Sequence, residues 1–220
     1  MLQKEKDSAS LAVVKAGETE RKRIAADLHD NLGAYAASIV SNLEFIEPLK
    51  NEQSATAMQE LRHNSISIVS QLNDTIWVLN KDSLSMTSIS DRIKVFIKRV
   101  QPSFPGVQLQ VREDIGVDQL LAPSQAYQLF QIVQEAVNNA LRHSACRQID
   151  IFIRSNAGWL VEISDDGSGM PLLPVKKTEG GNGVGNMKSR AAEAGWEIRW
   201  ENLAVGTKVS IVPPGGVTDR

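Results

Sequence analysis

The stretch Trp159-Leu160-Val161-Glu162-Ile163-Ser164-Asp165-Asp166-Gly167-Ser168-Gly169 decides how the second half of this chain folds. Successive residues of a strand point to opposite faces, so Trp159, Val161, Ile163 and Asp165 share one face. Three of the four are large and apolar, and the fourth is a carboxylate. A buried carboxylate needs donors to satisfy it. A plain strand-to-loop turn explains Gly167 and Gly169 but not the facing of Asp165. A ligand with an exposed amine, such as adenine, would explain both, because glycines let the backbone approach a ring closely.

Upstream, Gln131-Ile132-Val133-Gln134-Glu135-Ala136-Val137-Asn138-Asn139-Ala140-Leu141-Arg142-His143 reads as one helix, from about Ser124 to His143. Val133, Ala136, Val137, Ala140 and Leu141 form its apolar stripe. Glu135, Asn139, Arg142 and His143 lie on the other side, close enough to act together. A carboxylate and an amide one turn apart suit a hydrated Mg²⁺, which prefers oxygen ligands and keeps several waters. Arg142 could reach a phosphate, and His143 could stack on a base. Downstream, Gly180-Gly181-Asn182-Gly183-Val184-Gly185 precedes a helix expected near Met187–Ala194. Backbone N–H groups in such a loop, backed by a helix N-terminus, make an anion site. The closing strand puts Thr207 on the face of Val209 and Ile211, where its hydroxyl could hydrogen-bond toward Asp165 or a water beside it.

The remaining elements are a helical pattern over Ile89 to Val100, a strand over 107–111, strands at Gln148–Arg154 and Trp159–Asp165, and a hairpin of Glu197–Glu201 with Thr207–Val212. Helices and strands in that order, with antiparallel neighbours at the end, indicate an α/β sandwich with a mixed sheet rather than a doubly wound one.

The set Glu135-x-x-x-Asn139, Asp165-x-Gly167-x-Gly169, Gly181-x-Gly183-x-Gly185 and Gly206-Thr207 resembles the motifs of the histidine-kinase ATPase domain, a fold shared with gyrase-type ATPases. The resemblance covers about residues 89–213. It implies ATP with Mg²⁺ as cofactor, Asn139 at the metal and Asp165 at adenine. Arg142, His143, the glycines and Thr207 would line the nucleotide, Glu135 would polarise a metal-bound water, and 170–186 would form a lid. Family members commonly have Asn where this chain has Asp166, a change expected to be tolerated.

The N-terminal half has a different texture. Ile24, Leu28, Leu32, Tyr35, Ile39, Leu43 and Ile46 form one helical stripe, and Leu61, Ile68, Leu72, Ile76 and Leu79 a second. Pro48 and the polar residues near Asn51 separate them, giving an antiparallel hairpin. Two such stripes cannot cover themselves fully, and pairing with a second copy in a four-helix bundle is the economical answer. Packing of the hairpin on its own C-terminal domain is the alternative. His29 sits at the border of the first stripe beside Asp30, with small Ala25, Ala26 and Gly33 about one turn away. Neutral imidazole is a competent nucleophile near pH 7, and Asp30 could orient the ring. The run from Glu20 to Gly33 resembles the phosphoacceptor box of the nitrate-sensor and membrane-fluidity-sensor histidine kinases. That resemblance implies phosphotransfer from ATP to His29 and on to an aspartate of a receiver-domain response regulator. In that class a glutamine four residues after the aspartate is associated with dephosphorylation; here the position is Ala34.

The expected architecture is therefore α+β: dimerisation and phosphotransfer helices over 1–82, a linker over 83–88, and an ATP-binding domain over 89–220. Lys plus Arg number 24 against 26 Asp plus Glu, a formal net charge of -2, which gives no electrostatic case for nucleic acid. The single cysteine fits a reducing compartment, and no apolar run approaches the roughly 20 residues that span a bilayer. The expected setting is cytoplasmic, either as a free protein or as the inner part of a membrane-anchored sensor. Two other readings remain at this level: a scaffold that binds nucleotide without transferring phosphate, and a Ser/Thr kinase of the anti-sigma type.

Overall fold

The computed structural model describes residues 39, 58, 61, 65, 68, 70, 72–78, 81–169 and 183–215. His29, Asp30, Ala34 and Gly181 lie outside them, as does nearly all of the first helical stripe. The chain divides into two compact units, Met1–Lys81 and Asp82–Arg220.

In the first unit, residues 72–78 are helical. Leu72 and Ile76, expected on the covered stripe, are 40% and 46% exposed in the single chain. Among the described residues no helix is long and apolar enough to cross a membrane.

The second unit runs β1 (Leu84–Ser85), α1 (Met86–Val100), a short 3-10 turn (Gln101–Ser103), β2 (Gln108–Ile115), β3 (Leu120–Leu121), α2 (Pro123–His143), β4 (Gln148–Ser155), β5 (Trp159–Asp165), α3 (Gly183–Glu193), β6 (Glu197–Asn202) and β7 (Thr207–Val212). Five strands form one sheet in the order β2-β4-β5-β7-β6, and β1 pairs with β3 apart from it. β2 and β4 are parallel, and every other neighbouring pair is antiparallel, so the sheet is mixed as expected.

Residues 83–88 are not the linker that their polar composition suggests. Leu84 is buried in β1, and Met86, fully buried, already belongs to α1. The serines that look like linker residues are a helix cap: Ser85 Oγ accepts from the Ser88 N–H (3.2 Å), and Asp118 Oδ1 accepts from the Thr87 N–H (2.9 Å). Serine is favoured both in loops and at helix N-caps, and composition alone does not separate the two.

The sheet's covered face follows from register. Ile151, Ile163, Val209 and Trp200 make one row across four strands, and Ile153, Val161, Ile211 and Ile198 the next. The β4 and β5 residues of these rows are buried, as are Val209 and Ile211. Each large side chain so buried contributes about 1.5–3 kcal/mol. α2 lies beneath the sheet, with Leu129, Phe130, Ile132, Val133 and Val137 fully buried. Phe130 meets Phe96 of α1 edge to face at 6.1 Å, and Trp159 meets Trp196 in the same way at 4.9 Å. The opposite face of the sheet carries a polar group, in which Glu162 Oε1 accepts from Ser210 Oγ (3.0 Å) with Lys208 nearby (3.7 Å). This asymmetry fixes the register, since a one-residue slip would exchange the two faces.

Candidate functional site

Asp165 occupies the next row of that same sheet. It stands opposite Ile149 on one side, and one further step of the β5–β7 register sets it against Thr207 on the other. Asp165 is thus on the covered face, but it is half-buried rather than fully buried, because the sheet ends at this row. Its Oδ1 accepts from the Gly167 N–H at 2.9 Å, and Oδ2 has no bond to a described residue. Thr207 is buried beside it, 7% exposed, with no hydrogen bond to Asp165 among the described residues.

Glycines surround this carboxylate because neighbouring backbone leaves no room for Cβ. At Gly206 (φ +87°), a Cβ would overlap the carbonyl of Asp165. At Gly167 a Cβ would overlap Ser144, the residue that ends α2. Ser144 is held there by its Oγ bonding the Ala140 carbonyl (2.8 Å), and its own carbonyl accepts from the Ser168 N–H (2.8 Å). Gly169 has φ +77°, a conformation that L side chains rarely adopt. The C-terminus of α2 and the loop after β5 are therefore locked together.

Asp166 has a role that the sequence did not disclose. Its Oδ1 accepts from the backbone N–H groups of Arg147 (2.7 Å) and Gln148 (2.8 Å), clamping the turn between α2 and β4. These two donors, that of Gln148 first, hold the Asp166 carboxyl below the usual carboxylate range. The clamp is therefore in place above the unfolded-state pKa and is lost as pH falls through the lower folded value. An asparagine Oδ1 could accept the same two bonds, which gives a physical reason for the tolerance expected at this position.

The second half of the site lies between α2 and α3. Glu135 and Asn139 are half-buried, one turn apart. A Cβ on Gly183 would overlap Glu135 Oε1 and lie 3.2 Å from Asn139 Nδ2. Here the structure corrects the expected boundary. α3 begins at Gly183, not near Met187, so Gly183 and Gly185 belong to its first turn rather than to a preceding loop. Glycine is a poor helix former, which is why sequence reading stops short of it, but at 183 it lets the Glu135 carboxylate lie against the first turn, where a Cβ would displace it. The first-turn N–H groups of α3 have no intrahelical acceptors and face outward along its axis. Arg142 and His143 are exposed at the end of α2. Of the expected apolar stripe on α2, Val133, Ala136, Val137 and Ala140 are buried, whereas Leu141 is only half so.

A divalent metal fits this donor set. A carboxylate and an amide oxygen on adjacent turns supply the few protein ligands that Mg²⁺ takes alongside water.

Two family models match the chain. Residues 124–216 match "Histidine kinase-, DNA gyrase B-, and HSP90-like ATPase", and residues 20–84 match "Histidine kinase". Among curated proteins, the chain is similar to the signal transduction histidine-protein kinase/phosphatase DegS of Bacillus subtilis, 26% identical over 84% of this chain and 50% of that protein. It is similar also to DegS of Brevibacillus brevis, 23% identical over 85% of this chain and 49% of that protein. The chain thus spans about half the length of these relatives. Among solved structures, the histidine kinase domain of the Erythrobacter litoralis EL346 blue-light activated kinase aligns with TM-score 0.51 at 20% identity, over 81% of this chain and 95% of that one. Acinetobacter baumannii histidine kinase AdeS aligns with TM-score 0.52 at 13% identity, over 84% and 96%. At these identities the structural likeness concerns the fold.

Proposed function

We propose, from the premise that this chain belongs to the sensor histidine kinases, that it binds Mg-ATP in its second unit and transfers the γ-phosphoryl group to His29. The observation that carries this reading is the arrangement at one end of the sheet: Asp165 walled by backbone at Gly206 and Gly167, and Glu135 with Asn139 against the first turn of α3. Asp165 Oδ2 is an acceptor for the exocyclic amine of adenine. Thr207, beside it by register, lies within reach of the same ring edge. The first turn of α3 offers backbone donors to phosphate oxygens. Arg142 adds positive charge there, and His143 a ring for the base. Gly167, Gly169, Gly183 and Gly185 keep backbone close to the nucleotide, and Gly181, outside the described residues, completes the expected set.

When bound, Mg²⁺ would neutralise charge on the phosphate oxygens; Asn139 is the residue to hold it, with Glu135 orienting a coordinated water. The protein's share of the transfer is positioning and charge neutralisation. An imidazole nitrogen of His29 forms the N–P bond as the bond from the γ-phosphorus to its bridging oxygen breaks, and ADP leaves. Asp30 holds the ring and takes up its proton. The phosphoryl group then passes to an aspartate carboxylate of a receiver-domain response regulator. The exposed Leu72 and Ile76, one turn apart in the first unit, support a homodimer in which a second copy covers them.

Asp165→Asn tests the pocket. It keeps an oxygen for the Gly167 N–H but puts a donor where the adenine amine also donates. Losing one acceptor that the bound base covers costs about 1–3 kcal/mol, so ATP affinity should fall roughly 5- to 150-fold with thermal stability little changed. Titration calorimetry showing unchanged affinity would place the nucleotide elsewhere.

The chain is also proposed to be a weak phosphatase, unlike the kinase/phosphatase named for its relatives. Ala34 has no polar group to align an attacking water, and on the helix expected from the sequence Asn31 would stand roughly 100° around from Asp30. Ala34→Gln should accelerate decay of a phosphorylated regulator while leaving His29 labelling intact. Fast decay with the unaltered chain would count against this.

A further inference from the structure

Gln128 is a polar residue in the apolar half of α2, seven residues before Glu135 and 2% exposed. Both ends of its amide are taken by α3. Arg190 Nη1 donates to Gln128 Oε1 at 2.7 Å, and Gln128 Nε2 donates to Glu193 Oε2 at 3.1 Å. Arg190 and Glu193 are three residues apart, on one face of α3, with opposite charges. The amide dipole lies along that pair with its oxygen toward the cation and its N–H toward the anion. The match is directional: turning or sliding α3 by one residue would set Ser189 and Ala192, or Ala191 and Ala194, against the amide and leave both its ends without a charged partner. Gln125 Nε2 also reaches the Ala194 carbonyl at the same end of α3, at 3.5 Å. A buried amide left without partners is costly, and an apolar residue would fill the space without the penalty, so packing alone does not account for glutamine here.

The opposite end of α3 is the end that matters for the nucleotide. Gly183 lies seven residues from Arg190, roughly 10 Å along the helix axis. At that end the contact with α2 is the close approach of Gly183 to the side-chain ends of Glu135 and Asn139, where a methyl group would displace the Glu135 carboxylate. A tilt of α3 by about 10° around Arg190 would carry Gly183 by about 2 Å, enough to open or obstruct that contact. We infer that Gln128, bonded to Arg190 and Glu193, is a positioning residue that sets where the first turn of α3 stands against Glu135 and Asn139. It thereby governs how tightly the phosphate end of the nucleotide is held. This rests on the nucleotide reading given above, and it predicts an effect on one end of the ligand only, since Asp165 and Gly206 belong to β5 and the β6–β7 turn.

The test compares ATP with adenosine, which lacks phosphates, on the full chain. Gln128→Met keeps the volume and removes both directional bonds. It should weaken ATP about tenfold while adenosine changes less than about twofold. The double variant Gln128→Glu with Glu193→Gln rebuilds both bonds with the donor and acceptor exchanged toward residue 193, and should recover most of the ATP affinity. Equal weakening of both ligands would show general loosening and overturn the inference, as would unchanged ATP binding by Gln128→Met or a double variant as weak as it. Failure of the unaltered chain to bind either ligand would instead overturn the nucleotide reading, and this inference with it.

Discussion

Gly206→Ala should abolish nucleotide binding and lower the melting temperature of the second unit by about 10 °C. The residue has φ +87°, and a Cβ there would overlap the carbonyl of Asp165 and stand 3.0 Å from Asp166 Cα. An L residue in the left-handed region costs about 1–2 kcal/mol. Forcing a methyl group into occupied space adds typically 1–3 kcal/mol, and backbone cannot swing aside as a side-chain end can. A total of about 3 kcal/mol, at about 3 °C per kcal/mol for a unit of this size, gives the stated shift. Any relief comes from pushing β5 away from the β6–β7 turn, and this moves the carboxylate that reads adenine. Two other glycines supply controls. Gly195 has φ +74° but open space around it, so Gly195→Ala should cost only about 1 kcal/mol. Gly158 has neither strain nor close neighbours, and Gly158→Ala should be close to neutral. Similar melting temperatures for all three variants would mean that the wall behind Asp165 yields easily.

Much of this architecture is legible in the sequence where local and global signals agree. The strand Trp159–Asp165 begins and ends where its alternation does, and α2 differs from its expected extent by one residue at the start. The facing of Asp165 follows from period two, and the register confirms that it shares the row of Ile149. Reading fails where one residue type serves two purposes. Glycines at 183 and 185 look like loop, yet they open α3, with Gly183 lying against the Glu135 carboxylate. Serines at 85 and 88 look like linker and form a cap. The grip of Asp166 on the turn at Arg147 and Gln148 joins residues 18 and 19 apart, and the bonds of Gln128 span more than sixty residues. No local pattern announces such pairings. A polar residue inside an apolar helical stripe, as Gln128 is, was the one available hint.

The phosphoacceptor carries the largest expected effect of all, complete loss from one substitution. His29 lies beside Asp30 in a run matched by the histidine kinase model over residues 20–84, and the ATPase model matches 124–216. Glutamine at 29 offers no nucleophilic nitrogen, because its amide lone pair is delocalised into the carbonyl. Residue 29 belongs to the first unit, and the motifs around Asp165 belong to the second. His29→Gln should therefore bind ATP as the unaltered chain does and accept no phosphate. The nature of the bond discriminates further. Phosphate on an imidazole nitrogen is lost in acid and survives alkali, whereas phosphate on serine or threonine survives acid. The direct measurement is incubation of the full chain and of His29→Gln with γ-labelled ATP and Mg²⁺, followed by acid and alkali treatment of the products. The account predicts an acid-labile, alkali-stable label on the unaltered chain and none on His29→Gln. An acid-stable label, or an acid-labile one that persists in His29→Gln, would contradict it.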